Sequence, residues 1–287
     1  METIRMPRIM QETSKRHLYK GKTIGFVPTM GALHSGHLSL VKRAKSENDI
    51  VVVSIFVNPL QFGPGEDFEK YPRDVEKDME KLRDVDADIL FVPENKNLCP
   101  EGFATHFIIE GISDRLCGAF RPGHFSGVAT VVCKLFNIVR PVRAYFGQKD
   151  FQQTVVIGRM VEDLNMDIEV VTCPTVRESD GLAMSSRNVY LRGEERTAAT
   201  VLYKAISLSR EMIEAGVSGP EEVKARLNEA LRSERLVSEI QYAGVYDPKT
   251  LLDLNEFKRY NLVAGAIRIG GTRLIDNVLV EAVKARQ

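Results

Sequence analysis

The chain has 287 residues, 44% of them hydrophobic and 27% charged, and its 39 basic and 39 acidic side chains give a formal net charge of zero. At ~100–200 residues per domain that is one large domain or two, with enough core to need no disulfide or structural metal. The charge balance argues against bulk binding to nucleic acid, no apolar run reaches the ~20 residues of a membrane span, and the charged start (Glu2, Arg5, Arg8) is not a signal peptide.

The four cysteines, Cys99, Cys117, Cys133 and Cys173, show no C-x-x-C spacing and read as reduced and mostly buried. The expected location is the cytoplasm.

In chain order, residues 8–19 read as a short polar helix and Thr23–Val27 as the first strand. The stretch Pro28-Thr-Met-Gly-Ala-Leu-His-Ser-Gly-His-Leu38 then forms a glycine-bearing turn into a helix running to about Ser46. Asp49–Val57 is a continuous β-branched run, as expected of a strand covered on both faces of a parallel sheet. A Gly/Pro-rich loop over 58–72 follows, and loops of that length in compact domains are usually functional. A helix opening near Tyr71–Arg73 carries Val75, Met79 and Leu82, and Asp88–Pro93 is another buried strand.

Thr105–Ile109 reads as a strand and Arg121–His124 as a turn before a helix with Val128, Val131, Val132, Leu135, Phe136 and Val139 on its core face. Val142–Phe146 is a strand, Asp150 a cap for a helix over 151–164, and Asp167–Cys173 the last strand of this run. The alternation implies an α/β domain built on a parallel sheet. Beyond Pro174 the alternation stops. Helices are expected at about 194–215 and 219–235, the second opened by a Ser218–Glu221 capping signal, then strands near 240–246, 261–269 and 272–280. These describe a smaller α+β domain, so the expected division is 1–175 and 176–287.

His34 and His37 lie three residues apart, so on the first turn of a helix they share a side. Free backbone N–H groups and the positive end of the helix dipole point the same way, which suits a polyphosphate. Either histidine alone reads as a turn residue satisfied by backbone. The coincidence of two histidines, two glycines and a strand-to-helix transition favours phosphate. A metal site would need a third ligand that no spacing supplies.

Two signatures resemble those of nucleotidyl-transferring Rossmann-like enzymes. The opening stretch is similar to their His-x-Gly-His motif, and Met184-Ser-Ser-Arg-Asn188 to their Lys-Met-Ser-Lys-type loop. With Ser54–Gly63, Glu66–Arg73 and Phe146–Gln153 in the same order, the chain closely resembles the pantothenate synthetase (pantoate–β-alanine ligase) family over nearly its whole length. That resemblance implies a Rossmann-like doubly wound sheet with a smaller C-terminal domain. The implied activity is condensation of pantoate with β-alanine through a pantoyl-adenylate, consuming ATP with Mg2+, and the implied assembly is a homodimer.

Carried onto this chain, the resemblance implies ATP contacts at Met30, Gly31, Ala32, Leu33, His34, Ser35, Gly36, His37, Gly147, Gln148, Lys149, Asp150, Val176, Met184, Ser185, Ser186 and Arg187. Of these, His34, His37, Lys149, Ser185, Ser186 and Arg187 would be catalytic. Gln61 and Gln153 would contact pantoate, with Met30 and Asn58 beside them. Gln both donates and accepts, which suits an α-hydroxy acid. Met30, Phe62, Val131 and Val132 are candidates for an apolar wall, and Tyr71 and Arg121 for closure of the site. No protein metal ligand is assigned: the resemblance points to Asp78, but Lys77 stands where some relatives have an acid, so Asp78 is expected as an exposed helix acid. Because pantoate arrives ionised, His37 is expected to act as a cationic or hydrogen-bonding partner of the phosphates rather than as a base. The loop over 58–72 is expected to be a lid protecting the acyl-phosphate from water.

Competing readings are a nucleotidyl transferase acting on a phosphorylated acceptor, a class I aminoacyl-tRNA synthetase, and a nucleotide-binding module without catalysis. The Gln61/Gln153 pair argues against the first, because a phosphate acceptor calls for Arg or Lys. Size and the lack of a basic RNA-binding region argue against the second, and the combination of Lys149, Ser185, Ser186 and Arg187 against the third.

Overall fold

The structure is a computed structural model and describes residues 1–282. A six-stranded, all-parallel sheet comprises β1 (Glu2–Ile4), β2 (Ile24–Thr29), β3 (Ile50–Ile55), β4 (Ile89–Phe91), β5 (Arg143–Gly147) and β6 (Glu169–Cys173) in the order β1-β4-β3-β2-β5-β6. The chain moves outward from β2 through β3 to β4, then returns to the other side of β2 with β5 and β6. The carboxyl ends of β2 and β5 therefore flank the point of reversal, where α/β sheets bind ligands.

Alternation along the strands covers both faces. Ile24, Phe26, Ile50 and Val52 face α1 (Pro7–Tyr19), α6 (His124–Val139) and α7 (Phe151–Asp163). Val27, Val51 and Val53 face α2 (Ser35–Glu47) and α3 (Val75–Arg83), and two single-turn helices, α4 (Asn95–Leu98) and α5 (Cys117–Phe120), lie between β4 and α6 in the chain. β2 runs two residues beyond the expected Val27, through Pro28. The proline is tolerated because β5 pairs only with Gly25 and Phe26, so its missing N–H falls beyond that ladder. After β6, α8 (Glu194–Ala198), α9 (Thr200–Glu214) and α10 (Pro220–Arg232) pack against an antiparallel sheet of β7 (Val237–Tyr246), β8 (Tyr260–Ile269) and β9 (Thr272–Glu281). Tyr246, Leu251, Leu262 and Ala264 join the core of the larger sheet, so the two sheets share packing.

Several expectations fail for local reasons. β1 is unheralded: it has three residues, only Ile4 of them buried, and it pairs at the sheet edge with β4. Thr105–Ile109 is not a strand; Phe107 N–H donates to Thr130 Oγ1 at 2.9 Å, so a helix side chain satisfies backbone that a ladder would have paired. The helix expected over 194–215 breaks at Ala199, next to a Thr200 hydroxyl that donates to the Thr197 carbonyl. Ser218 caps nothing. Gly219 is the N-cap of α10, and the Ser218 hydroxyl donates instead to Glu222 at 2.8 Å. Asp150 occupies the N-cap position of α7 without accepting a cap bond. Cys99, Cys117, Cys133 and Cys173 are free thiols. No helix among the described residues is long and apolar enough to cross a membrane.

Candidate active site

β2 delivers the chain to its turn at Thr29, whose hydroxyl donates to Ser54 O and accepts from Gly31 N–H. Gly31 turns with φ +83°, and a side chain there would crowd Ile55 at 3.0 Å and Asp78 at 3.1 Å. His34 is then the N-cap of α2. Its Nδ1 accepts from Gly36 N–H at 3.1 Å, and His37 Nδ1 accepts from His34 N–H at 3.4 Å. The pair is a reciprocal capping box made of two imidazoles. A Cβ on Gly36 would lie 2.9 Å from the His34 ring, so that position must be glycine.

Burial, then the Lys149 charge, lowers the His34 pKa to about 4; burial, then His34 itself, lowers His37 to about 3. Both rings are then neutral at pH 7, which, of the two roles expected for His37, favours the hydrogen-bonding one over the cationic one. With each Nδ1 accepting from backbone, the proton of each ring sits on Nε2. Both imidazoles therefore offer N–H donors with no intrinsic charge.

Asp78 departs furthest from expectation. It is buried on α3, and its Oδ1 accepts from Leu33 N–H at 2.8 Å, while Lys81 donates to Leu33 O. Burial raises its carboxyl above the usual range, although the backbone donors oppose this. Asp78 is therefore not the exposed helix acid expected. It ties the phosphate turn to the helix that follows the 58–72 loop.

Across the turn, a tight hairpin joins Val176 to Met184, with Met184 N–H donating to Val176 O at 3.0 Å. It presents Met184–Arg187, and a Cβ on Gly36 would be 3.9 Å from Met184 Cβ, so the two signatures face each other. Ser185 Oγ accepts from Arg187 N–H, and the Ser186 hydroxyl donates to Ala32 O at 3.2 Å. The C-terminal sheet braces the same region. Asn277 on β9 donates to Gln148 O and Lys149 O, both at 3.0 Å, and Asp276 receives both ends of the Arg177 guanidinium at 2.6 and 2.9 Å.

Between them lies a cleft enclosing about 1350 Å3 of space open to solvent. Its walls include His34, Gly36, His37, Gly147, Lys149, Asp150, Val176, Met184, Ser185, Ser186 and Arg187, together with Met30, Asn58, Gln61 and Gln153. Gly31, Ala32, Leu33, Ser35 and Gln148 are adjacent but do not line it, and Leu33 packs into the core. Val131 and Val132 line it with Val128 and Leu135, so the buried face of α6 is also a cleft wall. Phe62 does not; its ring packs on Phe68 and Tyr71.

Gln61 is held on three sides. Asn58 donates to its Oε1 at 3.0 Å, its Nε2 lies 3.2 Å from Met30 Sδ, and its carbonyl accepts from His124 Nδ1 at 2.8 Å. His124 was not among the expected site residues. Burial, then Arg121, lowers its pKa to about 4, and Arg121 donates to its Nε2 at 3.0 Å.

Three cations of the cleft wall are each matched by an acid. Arg187 takes both oxygens of Asp67 at 2.8 and 2.9 Å, Arg121 both oxygens of Glu66 at 2.6 and 2.7 Å, and Lys149 stands 3.8 Å from Asp150. Burial works against the ionised forms of Glu66 and Asp67, but the arginine partners win and hold both below the usual carboxylate range.

A doubly wound sheet with neutral-histidine donors on a helix N-terminus, faced by a Ser-Ser-Arg loop, defines an ATP-using nucleotidyl-transfer site. The sequence model of the pantoate–β-alanine ligase family matches residues 2–279, and the chain belongs to that family. It is 62% identical over 281 residues to the pantothenate synthetase of Thermodesulfovibrio yellowstonii, covering 98% of this chain and 100% of that one. To the pantothenate synthetase of Caldicellulosiruptor saccharolyticus it is 51% identical, covering 95% and 96%. Its fold matches the crystal structure of the Thermus thermophilus enzyme with a TM-score of 0.92 at 48% identity, covering 97% and 99%. It also matches the Francisella tularensis pantoate–β-alanine ligase complexed with β,γ-ATP and β-alanine, with a TM-score of 0.79 at 37% identity and 97% of each chain covered. The chain is thus an enzyme that joins pantoate to β-alanine to make pantothenate at the expense of ATP.

Proposed function

We propose that the cleft performs this ligation in two displacements with the following division of labour. ATP lies between the His34–His37 turn and the Met184–Arg187 loop, with Lys149 beside its phosphates. Pantoate lies against Gln61 and Gln153, with Met30, Val131 and Val132 receiving its methyl groups. A pantoate carboxylate oxygen attacks the α-phosphorus, and the bond from that phosphorus to the bridging oxygen breaks to release pyrophosphate. The nucleophile is already ionised, so the residues align it and stabilise charge rather than remove a proton. Neutral Nε2–H donors on His34 and His37 suit charge that grows on the phosphate oxygens. The amine of β-alanine, once its ammonium has lost a proton, then attacks the acyl carbon, the acyl C–O bond breaks, AMP departs with the former carboxylate oxygen, and the nitrogen releases a second proton to solvent as the amide forms.

The observation that carries this assignment is the opposition of the two signatures across one cleft that also contains both glutamines. Magnesium enters with ATP as part of the substrate. Among the described residues no group of three or more His, Cys, Asp or Glu is placed to hold a metal, and Asp150 is the carboxylate on the cleft wall, so phosphate oxygens and water supply most ligands. We further assign residues 1–175 and 176–287 to two domains and the 58–72 loop to a lid over the site. The enzyme works in the cytoplasm as a homodimer; exposed Ile108 and Leu164 border one surface groove that supports such a contact. Pantoate labelled with 18O in its carboxylate tests the chemistry: one label appears in AMP if the adenylate forms, and unlabelled AMP contradicts it.

A further inference from the structure

Gln61 reaches the cleft from a single turn, Pro59–Gln61, that does little to hold itself. Its internal backbone bonds, Gln61 N–H to Asn58 O and Phe62 N–H to Pro59 O, are both 3.4 Å long, at the weak end for such bonds. The bonds that leave the turn are shorter. His124 Nδ1 meets Gln61 O at 2.8 Å, and Asn58 donates to Gly127 O at 3.0 Å. Both partners lie on the first turn of α6. The Pro59–Gln61 turn sits directly on that helix because Gly127 has no side chain: a Cβ there would fall 2.1 Å from Leu60 O. The helix, more than the loop's own hydrogen bonding, therefore sets where Gln61 stands.

Asn58 also sets which way the Gln61 amide points. An amide NH2 only donates, so Gln61 Oε1 faces it at 3.0 Å and the Nε2 donors turn toward Met30.

The state of the His124 ring is fixed by its two neighbours. A carbonyl only accepts, so Nδ1 carries the proton that it donates to Gln61 O. A guanidinium only donates, so Nε2 spends its lone pair on Arg121 Nη1 at 3.0 Å. Arg121 is itself held by both oxygens of Glu66, and its Nη2 reaches the Gln61 carbonyl only at 3.4 Å. His124 is thus the Nδ1–H tautomer, opposite to His34 and His37. Although it lines the cleft, neither ring nitrogen is free to take a proton from a substrate or to give one.

We propose that His124 is a positioning residue for the acid substrate, acting only through the Gln61 carbonyl to hold the Gln61 amide at the cleft; the proposal rests on the assignment of Gln61 to pantoate above. His124 touches no reacting atom and transfers no proton.

The test compares the full chain with His124→Asn, His124→Gln, Gln61→Ala and the His124→Gln, Gln61→Ala double variant. An Asn Nδ2 falls where the imidazole Nδ1 stands and can still donate to Gln61 O, whereas a Gln amide reaches the Nε2 position instead. In pyrophosphate–ATP exchange, the KM for pantoate should rise roughly 5- to 50-fold in His124→Gln, the range expected when a buried carbonyl loses its donor, and by no more than about threefold in His124→Asn. The KM for ATP should stay within about twofold in both. Once Gln61 is Ala, adding His124→Gln should raise the KM for pantoate no further. Histidine 15N spectra should show a ring in the Nδ1–H form that is missing from His124→Asn. An unchanged KM for pantoate in His124→Gln overturns the proposal, and so does an Nε2–H tautomer for His124. Equal losses in the Asn and Gln variants, or a full further loss in the double variant, would make His124 a structural residue and overturn it as well. An unchanged KM for pantoate in Gln61→Ala is a different result, because it overturns the pantoate assignment of Gln61 itself.

Discussion

Gly36 has no side chain because the His34 ring fills the space one would need, and the ring is there because it caps α2. The same interaction occupies Nδ1 and leaves Nε2–H unused by the turn, so one hydrogen bond would serve both folding and the proposed phosphate contact. It has a consequence for stability. His34, His37 and His124 are held neutral with folded-state values of about 4, 3 and 4, against 6.5 in an unfolded chain. Between those values the unfolded chain binds more protons, so stability is full above pH 6.5 and is lost as pH falls toward 4. Urea midpoints should therefore drop between pH 7 and pH 5, a range in which most carboxylates do not yet titrate. A flat midpoint over that range would show that the histidines are not buried neutral.

Asp78 gives a second residue-scale prediction. Asp78→Ala leaves the buried Leu33 N–H without its acceptor, a penalty of about 1–3 kcal/mol, and loosens the phosphate turn. The KM for ATP should rise, while the magnesium concentration giving half-maximal activity should not move. A selective shift in magnesium dependence would instead make Asp78 a metal ligand.

At the scale of elements, the 58–72 loop is tied down from both sides. Its consecutive acids Glu66 and Asp67 engage Arg121, which precedes α6, and Arg187, on the loop leading to α8. Arg187 is one of the groups proposed to bind ATP, so Asp67 occupies a place that a phosphate would take. Asp67→Asn should weaken that competition and lower the KM for ATP by roughly three- to tenfold, the scale of one partly exposed charge contact. It should also speed proteolysis within the loop when no ATP is present. A raised KM for ATP would mean that Asp67 supports binding rather than competing with it.

Elements with many apolar residues were legible in the sequence. β3 announces itself by an unbroken Ile-Val-Val-Val run, and α6 by its i, i+3, i+4 pattern. β1 and the break at Ala199 were not, because a three-residue edge strand and a single Thr hydroxyl leave no periodic trace. Of the residues carried by motifs, His34, His37, Lys149 and Met184–Arg187 line the cleft, whereas Gly31, Ala32, Leu33, Ser35 and Gln148 stand behind its wall. The contacts of Asp78, His124 and Asn277 were not legible, since they depend on what lies opposite in space: a turn 45 residues earlier for Asp78, the Gln61 carbonyl for His124, the Gln148 and Lys149 carbonyls for Asn277.

For the whole molecule, the decisive feature is that no single unit holds a complete site. The parallel sheet supplies the phosphate turn, Lys149 and both glutamines. The Met184–Arg187 loop supplies the facing donors, and β9 fixes the Lys149 segment through Asn277. The cations of the cleft wall are paired with acids before substrate arrives, so on the proposed placement ATP exchanges partners with them rather than finding them free. In that arrangement the first displacement is complete without β-alanine. Pyrophosphate–ATP exchange with pantoate as the only acid measures that directly. Exchange that requires pantoate, proceeds without β-alanine and falls about 100-fold or more in His37→Ala is the expected result. No exchange from an enzyme that still makes pantothenate, or undiminished exchange in a folded His37→Ala, would contradict it.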